Sequence, residues 1–248
     1  MQVEAREGGV TLLTLDDPDR RNAMGEQMGA ELLAACAAVR ADPAARVVVV
    51  TGRGSAFCAG ADLPALFGPQ MPVTEQHARL QSYYRAFLAV RELPLPTIAA
   101  VNGPAVGAGL NLALACDVRV AAPSATFAAT FTSIGLHPGG GCTWFLVHAL
   151  GASRALRTLL LGDAIDAPLA VAWALAEGPE EDCVGAALDL AGRFARVDPE
   201  LARHVKRAVG IAVETGDLRA TLEYETWAQA ASSSSPLLHE WIARLRDR

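Results

Sequence analysis

Two small-residue turns stand 47 positions apart in this chain. The first is Gly54-Ser55-Ala56-Phe57-Cys58-Ala59-Gly60-Ala61-Asp62-Leu63, and the second Val101-Asn102-Gly103-Pro104-Ala105-Val106-Gly107-Ala108-Gly109-Leu110-Asn111. Each is expected to follow a strand and open a helix, where first-turn N–H groups lack intrahelical partners and the dipole favours negative charge. Converging donors from Ala61 and Ala108 would make an oxyanion hole, which stabilises an enolate or a tetrahedral oxyanion. That is carbonyl chemistry. The plainer account is that both turns are tight because helices pack closely on strands.

The elements that must position these turns are legible from periodicity. Val10–Leu15 has strand character, and Asp16-Asp17-Pro18-Asp19 supplies a turn. A helix is predicted over 24–40, with Met28, Leu32, Leu33, Cys36 and Val39 near helical spacing. Val47-Val48-Val49-Val50 suits a strand buried on both faces. A loop over 64–72, a helix over 74–92, a strand over 97–102 and a helix over 107–115 follow. Strands at 117–121 and 126–129 precede a helix over 143–161 that Gly151 and Ser153 divide. Alternating strands and helices place the chain in the α/β class. Beyond 164, alanine, leucine and arginine dominate, and Ser232-Ser233-Ser234-Ser235-Pro236 interrupts the last helices as a solvated loop with a cap at Ser235.

Composition narrows the function classes. The 248 residues are 52% hydrophobic and 19% charged, which describes a folded chain with a sizeable core. No apolar run reaches the roughly 18 residues of a membrane span, and no signal-peptide pattern opens the chain. Net charge is −6 without a basic block, so nucleic acid is not an expected partner. Cys36, Cys58, Cys116, Cys142 and Cys183 form no Cys-x-x-Cys pair; reduced thiols in the cytoplasm are expected, with no zinc site. Gly103 to Gly109 lacks the dinucleotide-binding spacing, and no flavin or nicotinamide signature is present.

Together with Asp19-Arg20-Arg21-Asn22-Ala23-Met24, Asn111–Asp117 and Ile134-Gly135-Leu136-His137-Pro138-Gly139-Gly140-Gly141, the two turns resemble the crotonase (enoyl-CoA hydratase/isomerase) family. The matching stretches lie in order across 10–162. The resemblance implies a ββα spiral core over 1–190 and a helical region over 191–248 that builds homotrimers or dimers of trimers. It also implies an acyl- or enoyl-coenzyme A thioester as substrate, with coenzyme A as part of that substrate and no separate cofactor. The thioester oxygen would lie between the Ala61 and Ala108 N–H groups. The nucleotide end would meet Arg20, Arg21 and Ala23, with Ala59, Gly60, Asp62 and Leu63 alongside; arginine suits phosphate because its planar charge donates two hydrogen bonds. Either arginine could make that contact, and Asp62 could instead cap a short helix. The stretch 64–80 is expected to shape the acyl pocket.

Acid–base chemistry departs from the family pattern. Its hydratases use two glutamates, and the matching positions hold Asn111 and Phe131. The acid that its isomerases often carry after the equivalent of Pro138 is Gly139. None of these exchanges a proton near neutrality, although Asn111 could orient a water or hydrogen-bond to the substrate as a catalytic residue. His137 is the remaining nearby candidate, against a structural histidine before a proline turn. His77, His148, His204 and His239 fall in predicted helices without a sequence partner, and Cys58 and Cys116 have the neighbours of packed core thiols. Three readings follow: an enoyl-CoA hydratase or isomerase, a lyase-type enzyme working through an enolate; a non-catalytic acyl-CoA binding protein; and a hydrolase, for which no Ser/His/Asp set is visible.

Overall fold

The structure, a computed structural model, describes residues 1–246. In chain order its strands and helices begin with β1 (Gln2–Arg6), β2 (Val10–Leu15), α1 (Glu26–Ala41), β3 (Val47–Gly52), α2 (Leu63–Phe67) and α3 (Val73–Arg91). There follow β4 (Thr97–Val101), β5 (Pro104–Val106), α4 (Ala108–Ala115), β6 (Val118–Ala121), β7 (Thr126–Ala128), α5 (Cys142–Leu161), β8 (Ile165–Asp166), α6 (Ala167–Ala172) and α7 (Cys183–Phe194). Three further helices are α8 (Pro199–Thr215), α9 (Leu218–Ser232) and α10 (Pro236–Arg246).

A five-stranded sheet has the order β1-β2-β3-β4-β6. β1 pairs antiparallel to β2, from Gln2 opposite Thr14 to Arg6 opposite Val10, and every other pair is parallel. A smaller sheet has the order β5-β7-β8, and Cys58 pairs in parallel with Ala105 on its free side. The path therefore repeats. β3, Cys58 and the α2–α3 segment make one ββα turn; β4, β5 and α4 a second; β6, β7 and α5 a third. No internal repeat is visible in the residues themselves, because what recurs is the route of the backbone.

Alternation along the central strands explains the layering. Val48 and Val50 face a core shared with Leu32 of α1, Phe87 of α3, Leu110 of α4 and Leu146 of α5. Val47 and Val49 face the opposite side, against Ala187 and Ala191 of α7. A strand covered on both faces can be apolar throughout, and β3 is buried at all six residues. Each large side chain buried here contributes roughly 1.5–3 kcal/mol.

The chain divides into two units, one of residues Met1–Arg196 and one from Val197 onward. α7 runs past position 190 and belongs with the sheet of the first unit. In the second unit, Asp217 caps α9 through the Arg219 N–H, and His204 meets the Tyr224 hydroxyl at 2.8 Å. That supplies a partner the sequence did not suggest for this histidine. No residue of α8–α10 is buried. Among the described residues no helix is long and apolar enough to cross a membrane.

Two local expectations are corrected. The predicted loop over 64–72 begins as helix, since α2 occupies Leu63–Phe67 with Asp62 accepting from the Ala65 N–H at 3.2 Å. Three unpredicted strands, β1, β5 and β8, are either a polar edge strand or too short to show alternation.

Candidate active site

The two small-residue turns are hydrogen-bonded to one another. Cys58 N–H donates to Pro104 O at 3.1 Å, and Val106 N–H donates to Cys58 O at 3.0 Å. Beyond this pairing the backbones press together. Gly60 has φ +100°, and a Cβ there would stand 2.8 Å from Val106 O and 3.8 Å from the Ala108 nitrogen. On Gly109, the second residue of α4, a Cβ would lie 2.1 Å from Cys58 O. Only glycine fits either place, which is the physical reason for the small-residue runs.

This approach leaves two N–H groups uncommitted. Met24 pairs in parallel with Ala61 through Met24 N–H to Gly60 O, 2.7 Å, and Asp62 N–H to Met24 O, 3.4 Å. In that pattern the N–H of Ala61 itself points to the opposite side. α4 makes its first intrahelical bond from Asn111 N–H to Gly107 O, 3.0 Å, so the Ala108 N–H belongs to the unpaired first turn. Among the described residues neither group has an acceptor in the surrounding turns, and both residues line one cavity of about 310 Å³.

The same cavity gathers the positions in question for proton transfer. Asn111, Phe131, His137 and Gly139 all line it. Asn111 is 2% exposed; its Nδ2 donates to Gly139 O at 2.9 Å, while its Oδ1 has no partner. His137 is exposed and its Nδ1 lies 2.7 Å from Pro138 O. A carbonyl oxygen only accepts, so Nδ1 carries the hydrogen and the free valence of the ring is at Nε2. No carboxylate is among the lining residues; the titratable ones are His137, Tyr83 and Tyr84. Burial pushes both phenols up, most strongly Tyr83, whose hydroxyl donates to Met24 O at 3.0 Å. The phenols therefore stay protonated, leaving His137 as the lining side chain with a free ring nitrogen.

Cys58 is fully buried, and burial raises its thiol to about 11. It is a structural residue of the first turn.

The polar segment before Met24 borders the first turn. Ala59 N–H donates to Arg21 O at 2.9 Å, and buried Asn22 donates to Ala56 O and Arg53 O at 2.8 and 2.9 Å. Ala59, Gly60 and Leu63 line the cavity, whereas Arg20, Arg21, Ala23 and Asp62 lie outside its wall. Arg20 Nη2 bonds Asp62 Oδ2 at 2.6 Å, and this guanidinium, with the Ala65 N–H, holds the Asp62 carboxyl below the ordinary value. Arg21 has no side-chain partner among the described residues. Leu66, Phe67 and Leu80, from the stretch 64–80, line the cavity, and one part of the wall beyond that stretch went unread in the sequence: Tyr83, Tyr84 and Phe87 of α3. Their helical spacing was the available signal.

A family model described as enoyl-CoA hydratase/isomerase matches residues 5–236. The chain belongs to this family. A probable enoyl-CoA hydratase of Mycobacterium tuberculosis is 47% identical over 241 residues, spanning 95% of this chain and 92% of the relative. A crystal structure of a putative enoyl-CoA hydratase from Streptomyces coelicolor superposes with TM-score 0.90 and 33% identity, over 99% of this chain and 90% of that one. One from Mycobacterium abscessus, a putative enoyl-CoA hydratase/isomerase, gives 0.89 and 33%, over 98% and 96%. The repeated ββα path is thus the crotonase fold of the enoyl-CoA hydratase/isomerase family.

Proposed function

We propose that this chain is a coenzyme A thioester-processing enzyme that works through an enolate. The observation that carries the reading is the pair of uncommitted N–H groups, on Ala61 and Ala108, lining one cavity. The thioester oxygen lies between them and gathers negative charge as the α-carbon loses a proton. Each preorganised donor lowers that barrier by roughly 3–4 kcal/mol. His137 Nε2 moves the proton, its tautomer fixed by the Pro138 carbonyl. A positioned base of this kind typically contributes about 10²–10⁴-fold. Water addition needs a further group to hold and deprotonate the water, which Asn111, Phe131 and Gly139 do not supply. Proton transfer at the α-carbon, and so isomerisation, is the chemistry this cavity suits better than hydration.

Arg21 takes a phosphate of the nucleotide end, because Arg20 is engaged by Asp62. The apolar stripe of α8, including Val205 and Val209 at 55% and 58% exposure, packs against further copies in a trimer or paired trimers. Light scattering tests the assembly. With all five thiols buried and none in a disulfide among the described residues, a cytoplasmic enzyme is the fitting context.

A second reading, a non-catalytic acyl-CoA binding protein, is favoured by the missing carboxylates alone. One experiment separates the two. Thioester binding is measured by calorimetry, and α-proton exchange in deuterium oxide, isomerisation and hydration are followed for the wild type and His137→Ala. Exchange that the substitution abolishes while binding persists supports the enzyme. Tight binding without exchange or turnover gives the binding protein, and no binding rejects both.

A further inference from the structure

We infer that the acyl group accepted here is aromatic, an aryl or arylalkyl thioester rather than a straight-chain one; this rests on the thioester reading above. Of the chain's three tyrosines and seven phenylalanines, five line the one cavity: Phe67, Tyr83, Tyr84, Phe87 and Phe131. They come from α2, from α3 and from the segment after β7, so one helical stripe does not account for them. On α3 the rings are set edge-on and tilted to one another. Centroids of Tyr83 and Phe87 are 6.3 Å apart at 78°, and those of Tyr84 and Phe87 5.9 Å apart at 48°. Phe87 is fully buried and backs the half-buried Tyr83 and Tyr84, so the two tyrosine rings are held at fixed tilts to present an edge and a face to a flat ligand, the geometry that aromatic quadrupoles favour.

Phe131 places this preference at the reacting end. A Cβ on Gly107, the residue before Ala108, would stand 3.9 Å from Phe131 Cζ. The ring tip therefore sits beside the turn that offers the Ala108 N–H, against the first carbons of a bound acyl group. A hydrocarbon chain gains from any apolar wall in proportion to area. A ring gains the quadrupole contacts in addition, and gains them from several walls at once.

The test is a calorimetric titration of phenylacetyl-CoA and octanoyl-CoA, which are matched in acyl carbon number. Octanoyl presents the larger apolar area, so area alone favours it. The expected result is that phenylacetyl-CoA binds at least about ten-fold tighter, and that Phe131→Leu cuts this ratio to about three-fold or less. Phe67→Leu, on the short helix, is expected to lower the ratio as well and serves if Phe131→Leu does not fold. Equal or tighter binding of octanoyl-CoA overturns the inference while leaving the thioester reading standing. A ratio untouched by the substitutions also overturns it. Failure of both thioesters to bind removes the thioester reading and this inference with it.

Discussion

The Asn111 side-chain amide donates to the Gly139 carbonyl at 2.9 Å, which ties the first turn of α4 to the segment carrying His137. The Ala108 N–H and the histidine are thereby held in one frame by a single buried residue. Asn111→Ala removes one of two donors to the Gly139 carbonyl, leaving the Cys142 N–H at 3.2 Å, at a cost of about 0.5–1.5 kcal/mol. Chemical denaturation is expected to show that loss, and turnover of a thioester to fall further than its binding.

Gly60→Ala introduces a Cβ against Val106 O and forces an L side chain to φ +100°. Strain of this kind costs about 1–3 kcal/mol where the fold holds. Relief would separate the two turns, so turnover is expected to drop about ten-fold or more with circular dichroism unchanged at low temperature. Full activity in this variant would count against a shared oxygen-binding point.

Arg20 and Asp62 give a pH signature. The guanidinium lowers the Asp62 carboxyl, so its contribution to stability is present above the ordinary carboxylate value and is lost as pH falls through the lower, folded value. NMR titration is expected to place the Asp62 midpoint lower in the wild type than in Arg20→Ala. The cap on Ala65 should loosen at higher pH in that variant.

Arg21→Ala removes a guanidinium with no protein partner among the described residues, so the fold should be unaffected. Binding of a coenzyme A thioester is expected to weaken about three- to ten-fold, with a shallower dependence on salt. Arg20→Ala should have the smaller effect on affinity.

Much of the fold was readable where segments are long and covered on both faces. The valine run of β3 announced itself, and the helices predicted over 24–40 and 74–92 stand at Glu26–Ala41 and Val73–Arg91. β5 and β8 carry three and two residues, too few for any period to register. α2 hid behind Pro64, Gly68, Pro69 and Pro72, although a proline inside a first turn is compatible with a helix start. At the site, Ala61, Ala108, Asn111 and His137 do line one cavity: Ala61 and Ala108 stand on the two small-residue turns, Asn111 one turn into α4, and His137 on the segment between β7 and α5. The aromatic wall was missed because Tyr83, Tyr84 and Phe87 share a helix face that looks like ordinary core until the facing cavity is known.

The parallel pairing of Cys58 with Ala105 joins successive coils of the chain more than forty residues apart. Neither the Ala61 N–H nor the Ala108 N–H has a fixed counterpart until both coils have formed and docked. On the proposed reading, competence toward thioesters requires both coils together, and a molecule in which only one has docked is expected to be inert instead of weakly or indiscriminately reactive.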